Sequence, residues 1–204
     1  MKKPKITILD LGYGNFKSLI NAFDYLNIKT YVTNDKKKIS SSDMLCLPGV
    51  GAYKTGIDSL KDQGLFDVLR EVVNIKKRKV LGICLGMQLL CSSSEEGNIR
   101  EGLNFLNLKI TKFKSKNLKI PHIGFNSVKN HNFSLLKDVK KNYFYFAHSY
   151  AAKKKPLKDI NFIECEYGEK FIAGFEKNNV YGLQFHPEKS QSNGLKILEN
   201  FYKI

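Results

Sequence analysis

Two short stretches of this 204-residue chain hold residues whose types and spacing can do chemistry. In KVLGICLGMQLL (79–90) a cysteine, Cys84, stands between Gly82 and Gly86 at the end of an apolar run. In GLQFHPEKS (182–190) His186 ends another apolar run, and Glu188 follows two residues later across Pro187. A nucleophile on the tight turn between a parallel strand and the next helix projects from the carboxyl edge of the sheet, where open α/β sheets bind ligands. Such a turn strains the nucleophile's backbone, and side chains two residues before and after it would collide with the neighbouring chain. Glycine at 82 and 86 removes those collisions, as in the serine-centred elbow of hydrolases. A helix starting after Cys84 aims free N–H groups and a positive dipole end at the sulfur, a setting that favours negative charge there. The same five residues also fit a buried cysteine in a glycine-containing turn, and the pattern alone leaves both readings open.

A cysteine nucleophile needs a base, and the chain has four histidines, His122, His131, His148 and His186. His186 stands out because proline fixes the chain after it and the i, i+2 spacing lets Glu188 point the same way. The carboxylate then orients the imidazole and stabilises its protonated form, the third role in a triad. His-x-Glu alone is as readily a surface turn; beside an elbow cysteine it reads as chemistry.

The elements around these stretches alternate. KITILDLG is a short apolar run ending in a glycine turn. After it, Phe16, Leu19, Ile20, Phe23 and Leu26 recur at helical spacing, with Asn15 available as N-cap. KTYVT and DMLCLPG read as the second and third strands, residues 54–75 as one helix, and KVLGICLG as the fourth strand, with a helix starting near Leu85. Strands apolar on both faces alternating with helices predict a parallel sheet covered on both sides. Beyond about residue 105, LNLKITKF, HIGFNSVK, NYFYFAHSY, NFIECEYG, KFIAGFE and NVYGLQFHP read as strands, with a hairpin at EKNN. An amphipathic helix from Ser192 to Ile204 closes the chain. The predicted fold is α/β: an open, largely parallel twisted sheet with helices on both faces and an added antiparallel section in the C-terminal half. No linker or repeat interrupts residues 1–204, which read as one domain.

Composition excludes several function classes. At 42% hydrophobic and 26% charged, the chain reads as globular, and no apolar stretch reaches the ~18 residues needed to span a bilayer. The basic N-terminus MKKPKITILDLG resembles a signal peptide only until Asp10, so a first strand in a cytoplasmic protein is expected. Four cysteines without CxxC or His/Cys spacing indicate no disulfide framework and no metal site. The net charge of +15 raises nucleic-acid binding. The lysines are scattered in short runs beside turns, however, and no aromatic RNA-binding motif accompanies them. A solvated surface or an acidic protein partner is the preferred reading.

GICLG followed by Met87 and Gln88, together with FHPEKS, resembles the class I (triad-type) glutamine amidotransferases. LDLGYGNFKSL (9–19), LPGVGAY (47–53), PHIGFNSV (121–128) and YFYFAHSY (143–150) resemble the glutaminase branch of imidazole glycerol phosphate synthesis, and LGMQLL carries Met where other branches usually carry His. The resemblance covers the whole chain. It implies that Cys84 attacks the side-chain amide carbon of L-glutamine, that His186 shuttles protons and that Glu188 orients His186. It also implies oxyanion donors from the backbone at Gly49, Val50, Gly51 and Leu85, and substrate contacts from Gln88, Glu96, His148, Ser149 and Tyr150. No cofactor is implied. Ammonia would pass to a (β/α)₈ cyclase subunit docked on the Gly12–Phe16 and Pro121–Val128 segments through Tyr13, Asn15, His122 and Phe125, with neither nucleic acid nor membrane as partner. The sequence departs from its relatives at Phe125, where Trp is usual, and at Tyr13, where Ala or Ser is commoner. Two rival readings are a different synthase as acceptor, such as one acting on a surface-glycan sugar, and a catalytically silent module. The second is disfavoured because all three triad residues are present.

Overall fold

The computed structural model describes residues 4–12, 14, 16–98, 101–114, 118–129, 132–153 and 160–204. The first half alternates as expected: β1 (Ile6–Leu9), α1 (Lys17–Tyr25), β2 (Thr30–Thr33), α2 (Lys36–Ser40), β3 (Met44–Leu47), α3 (Tyr53–Asp62), α4 (Leu65–Asn74), β4 (Lys79–Ile83) and α5 (Leu85–Leu89). The second half is strand-rich: β5 (Cys91–Ser94), β6 (Leu106–Lys112), β7 (His122–Lys129), β8 (Tyr143–His148), β9 (Tyr150–Ala152), β10 (Asn161–Tyr167), β11 (Glu169–Lys177) and β12 (Val180–Leu183), followed by α6 (Gln191–Lys203).

One nine-stranded sheet runs in the order β2-β1-β3-β4-β12-β11-β10-β7-β8. Pairing is parallel from β2 through β12 and antiparallel from β12 to β8. The expected parallel half and antiparallel section are therefore one continuous mixed sheet. The hairpin at EKNN is the β11–β12 connection, which returns the chain to the middle of the sheet beside β4.

Alternation along the strands builds two cores. Ile6 and Ile8 of β1, Met44 and Cys46 of β3, and Leu81 and Ile83 of β4 face α1 and α6, whose Leu19, Phe23, Ile197, Leu198 and Phe201 are buried at helical spacing. Leu9, Leu45, Leu47 and Val80 face the other way, onto α3 and α4. That second face is completed by a three-stranded sheet, β5-β6-β9, which the alternating pattern did not anticipate.

Three further differences have local causes. The helix expected over 54–75 is two helices, because Gly64 takes a left-handed conformation (φ 62°) that ends one and starts the next. The short α2 lies where only a charge run was read, and the Asp35 carboxylate caps it by accepting from Lys38 N at 2.8 Å. The first helix begins at Lys17 with Phe16 at its cap position, while Asn15 lies outside the described residues.

Candidate active site

The register of the central strands brings the two chemical motifs together. Strand β12 lies parallel to β4 with Gly182 opposite Gly82 and Leu183 opposite Ile83. The chain leaving each strand at its carboxyl end therefore sets Cys84 beside Gln184, with His186 two residues beyond, and Cys84 N donates to Leu183 O at 2.7 Å. Cys84 has φ 52° and ψ −109°, a backbone conformation that costs a non-glycine residue about 1–3 kcal/mol.

The flanking glycines explain how that turn fits. A Cβ on Gly86 would lie 1.7 Å from Leu47 O, and one on Gly82 would lie 2.7 Å from the Gly86 carbonyl. Neither clash is with a flexible side-chain end, so backbone must move. Gly86→Ala is expected to destabilise the fold by at least about 1–3 kcal/mol and to displace the Cys84 side chain. Urea denaturation midpoints and glutaminase assays of the variant check this together.

His186 is 3% exposed and its Nδ1 lies 2.8 Å from Glu188 Oε1. Its other polar neighbour is the Cys84 side chain, beside it at the mouth of the cleft. Burial by itself pulls the imidazole down. The hydrogen bonds to Cys84 and Glu188 and the charges of both groups outweigh burial and lift it to about 10. The balance of groups around His186 thus favours the protonated imidazole. The loop after β3 lies over the start of α5, where a Cβ on Gly49 would be 2.8 Å from Leu85 Cβ.

Cys84 and His186 open into a cleft of about 380 Å³ that Val50, Gly51, Gln88 and Glu96 also line. That volume falls in the range of small-molecule sites. Ser149 and Tyr150 line it from the β8–β9 junction. Glu96 is anchored from outside the cleft, Oε2 accepting from Tyr53 N at 2.7 Å where α3 begins. Gln88 donates through Nε2 to Tyr150 O at 3.0 Å and to Gln184 Oε1 at 3.1 Å.

The histidines expected elsewhere occupy a different position. His148 borders the cleft, yet both ring nitrogens are engaged: Nδ1 lies 2.8 Å from Tyr150 O and Nε2 lies 3.2 Å from His122 Nδ1. His122, expected on the docking face, is 3% exposed and stacked between Tyr167 and Phe146. This corrects the sequence reading: side chains alternate along β7, so His122 faces the core while Ile123 and Phe125 face outward. Tyr13, Asn15 and His131 lie outside the described residues. The sequence reading omitted Gln184 and Lys189. The available signal was the same GLQFHPEKS stretch, in which Gln184 shares the strand parity of His186 and Lys189 follows Glu188. Lys189 lines the cleft and places its ammonium 5.7 Å from the Tyr145 ring centroid. Among the described residues no cluster of side chains forms a metal site, and no helix is long and apolar enough to cross a membrane.

The histidine environments imply a definite pH dependence of stability. Burial pushes His148 down to about 3 and His122 down to about 4. Below the usual value near 6.5 the unfolded chain binds protons that these two refuse in the fold. Their contribution is present above about 6.5 and is lost as pH falls toward 4. His186 has the opposite sign: its contribution is complete below about 6.5 and is lost as pH rises through about 10. Urea midpoints should therefore peak near neutral pH and fall on both sides.

The chain matches the Glutamine amidotransferase class-I family over residues 7–204. It is 44% identical over 201 residues to "Imidazole glycerol phosphate synthase subunit HisH 2" of Methanococcus maripaludis, covering 97% of this chain and 98% of that one. It is 39% identical over 207 residues to "Imidazole glycerol phosphate synthase subunit HisH 1" of Campylobacter jejuni strain RM1221, covering 98% and 100%. Among solved structures, "PurLQS from Thermotoga maritima" superposes with a TM-score of 0.76 at 16% identity, covering 99% of each chain, a likeness of fold alone. The chain belongs to the class I glutamine amidotransferase family and, within it, to the family of imidazole glycerol phosphate synthase HisH subunits.

Proposed function

We propose that residues 1–204 act as one glutaminase domain that hydrolyses L-glutamine with Cys84, His186 and Glu188 and delivers the ammonia to a (β/α)₈ cyclase subunit. The observation that carries this reading is that Cys84 and the hydrogen-bonded pair His186–Glu188 meet at the carboxyl edge of β4 and β12, with Cys84 and His186 lining one cleft of substrate size. The Cys84 thiolate attacks the side-chain amide carbon, and the oxyanion is met by backbone N–H groups of Leu85 and the Gly49–Gly51 loop. His186, in its protonated form, gives its proton to the departing nitrogen, and ammonia leaves a γ-glutamyl thioester. The neutral imidazole then takes a proton from water, hydroxide attacks the thioester, and glutamate and the Cys84 sulfur are released. Glu188 keeps the imidazole oriented and favours its charged form throughout. Gln88, Glu96 and the Ser149–Tyr150 segment border the cleft and hold the glutamine. His148 acts through Tyr150 O rather than by touching substrate.

Free ammonia protonates in neutral water and loses its nucleophilicity, so direct transfer to an acceptor subunit is required. The outward face of β7 and β8 suits docking: Ile123 is 62% exposed, Tyr143 49% and Phe125 38%, with the Phe125 and Tyr143 rings stacked at 5.6 Å. Phe125→Ala should weaken association by about 1–3 kcal/mol as the loss of an aromatic anchor. Association should also slow as salt rises, given the +15 charge. The test titrates a purified barrel cyclase into the chain and follows glutamate release with and without the phosphorylated acceptor nucleotide. Stimulation by the cyclase supports the reading. Turnover unchanged by either addition would assign the ammonia to a different synthase or leave it in solution.

A further inference from the structure

Behind the cleft, buried against Cys84 and Gln88, lies a carboxamide that the triad chemistry does not use. Gln184 is 0% exposed and is set beside Cys84 by the Leu183–Ile83 register. Its Oε1 accepts from Gln88 Nε2 at 3.1 Å, and its Nε2 lies 3.8 Å from Cys84 Sγ. Building on the reading of Cys84 as nucleophile, we propose that Gln184 is a catalytic residue, an N–H donor that holds the Cys84 sulfur as an anion while its carbonyl locks the Gln88 side chain.

The surrounding groups leave the carboxamide only one orientation. Tyr150 O is a carbonyl and can only accept. Two donors converge on it, His148 Nδ1 at 2.8 Å and Gln88 Nε2 at 3.0 Å, which use its two lone pairs. Gln88 must therefore turn its NH₂ group inward, one hydrogen to Tyr150 O and the other toward Gln184. Gln184 meets that hydrogen with Oε1, because its own NH₂ there would set donor against donor. Its Nε2 is then the end that faces Cys84. The anchor extends further: His148 has Nδ1 as its donor, so its Nε2 accepts from His122 Nδ1, leaving His122 Nε2 to face Asn126 Nδ2 at 3.4 Å. Each donor in this series meets an acceptor, from β7 to the sulfur.

Two consequences follow for the reaction. The thiol faces Ala147 O at 3.8 Å, a contact that favours the protonated sulfur. Gln184 Nε2 supplies the opposing donor from the β12 side, and the neighbouring His186 adds its positive charge. With both Gln88 hydrogens committed inward, Gln88 Oε1 is the atom left to accept from the ammonium or amide N–H of bound glutamine. A single carboxamide thus sets the charge state of the nucleophile and the polarity of a substrate contact.

Two near-isosteric variants separate these roles. Gln184→Met removes both donor and acceptor, and should lower kcat about tenfold to a hundredfold while raising KM. Gln184→Glu keeps an acceptor for Gln88 but faces the sulfur with oxygen, so kcat should fall further while KM stays near that of the parent chain. The decisive readout is alkylation of Cys84 by iodoacetamide as a function of pH, located by mass spectrometry. Both variants should react more slowly at neutral pH, with profiles moved to higher pH and Glu moved furthest. Profiles superimposable on the parent's would overturn the proposal even if kcat fell, since a structural prop would not alter the sulfur's charge. If the methionine variant fails to fold by circular dichroism, the glutamate variant decides alone. A parent chain that does not alkylate at Cys84 would instead overturn the nucleophile reading beneath the proposal.

Discussion

Replacing Cys84 by alanine is expected to abolish glutamine hydrolysis while leaving the fold and partner binding in place. No other cysteine can form the thioester: Cys84 lines the cleft, and Cys46, Cys91 and Cys165 do not. Burial also pushes their thiols up, Cys165 to about 12 and the other two higher. Loss of a triad nucleophile removes on the order of 10⁴-fold or more of the rate, the residue being what binding and oxyanion donors supply alone. The fold should tolerate the change because alanine keeps the Cβ that the turn already accommodates. Cys84→Ser should behave alike, since its hydroxyl lacks the thiolate. Glutamate release and urea denaturation, measured side by side, separate lost chemistry from lost structure.

The second large effect belongs to His186. His186→Asn should cost on the order of 10²–10⁴-fold in turnover, the usual span for a group that transfers protons. His148 cannot take over, because Tyr150 O and His122 occupy its ring nitrogens and burial holds it neutral down to about pH 3. Glu188→Gln should cost less, since glutamine still hydrogen-bonds the imidazole while losing the negative charge. It should also bring the alkaline limb of turnover down in pH, because part of what lifts His186 to about 10 has been removed. Steady-state rates across pH for the parent chain and both variants check the ordering.

The chemistry was more legible in the sequence than its support. GICLG and GLQFHPE each hold the end of a strand, with Cys84 just beyond β4 and His186 just beyond β12, and the glycines at 82 and 182 prove to be register partners. That pairing places the histidine beside the cysteine without any long-range signal. The docking segment was misread for a reason of parity. Positions 122 and 125 are an odd number apart, so along one strand they cannot face the same way, and His122 is in the core. Gly64 sat in plain view inside an apolar periodicity strong enough to read through. Strand β5, Cys-Ser-Ser-Ser, carries almost no alternation, and it is held by pairing with β6 rather than by its own propensity. Gln184 carries no chemical signal in the sequence beyond its parity with His186, because a buried carboxamide has no reactive signature. Only the direction of its neighbours' hydrogen bonds gives it a role.

The central claim is that Cys84 is the group that glutamine acylates. Its most direct test is to incubate the chain, with its cyclase partner present, with the glutamine analogue 6-diazo-5-oxo-norleucine and map the adduct by mass spectrometry. The account predicts one label, on Cys84, with loss of glutaminase activity in proportion to labelling and protection by added glutamine. Label on Cys46, Cys91 or Cys165, or inactivation with Cys84 unmodified, would contradict it.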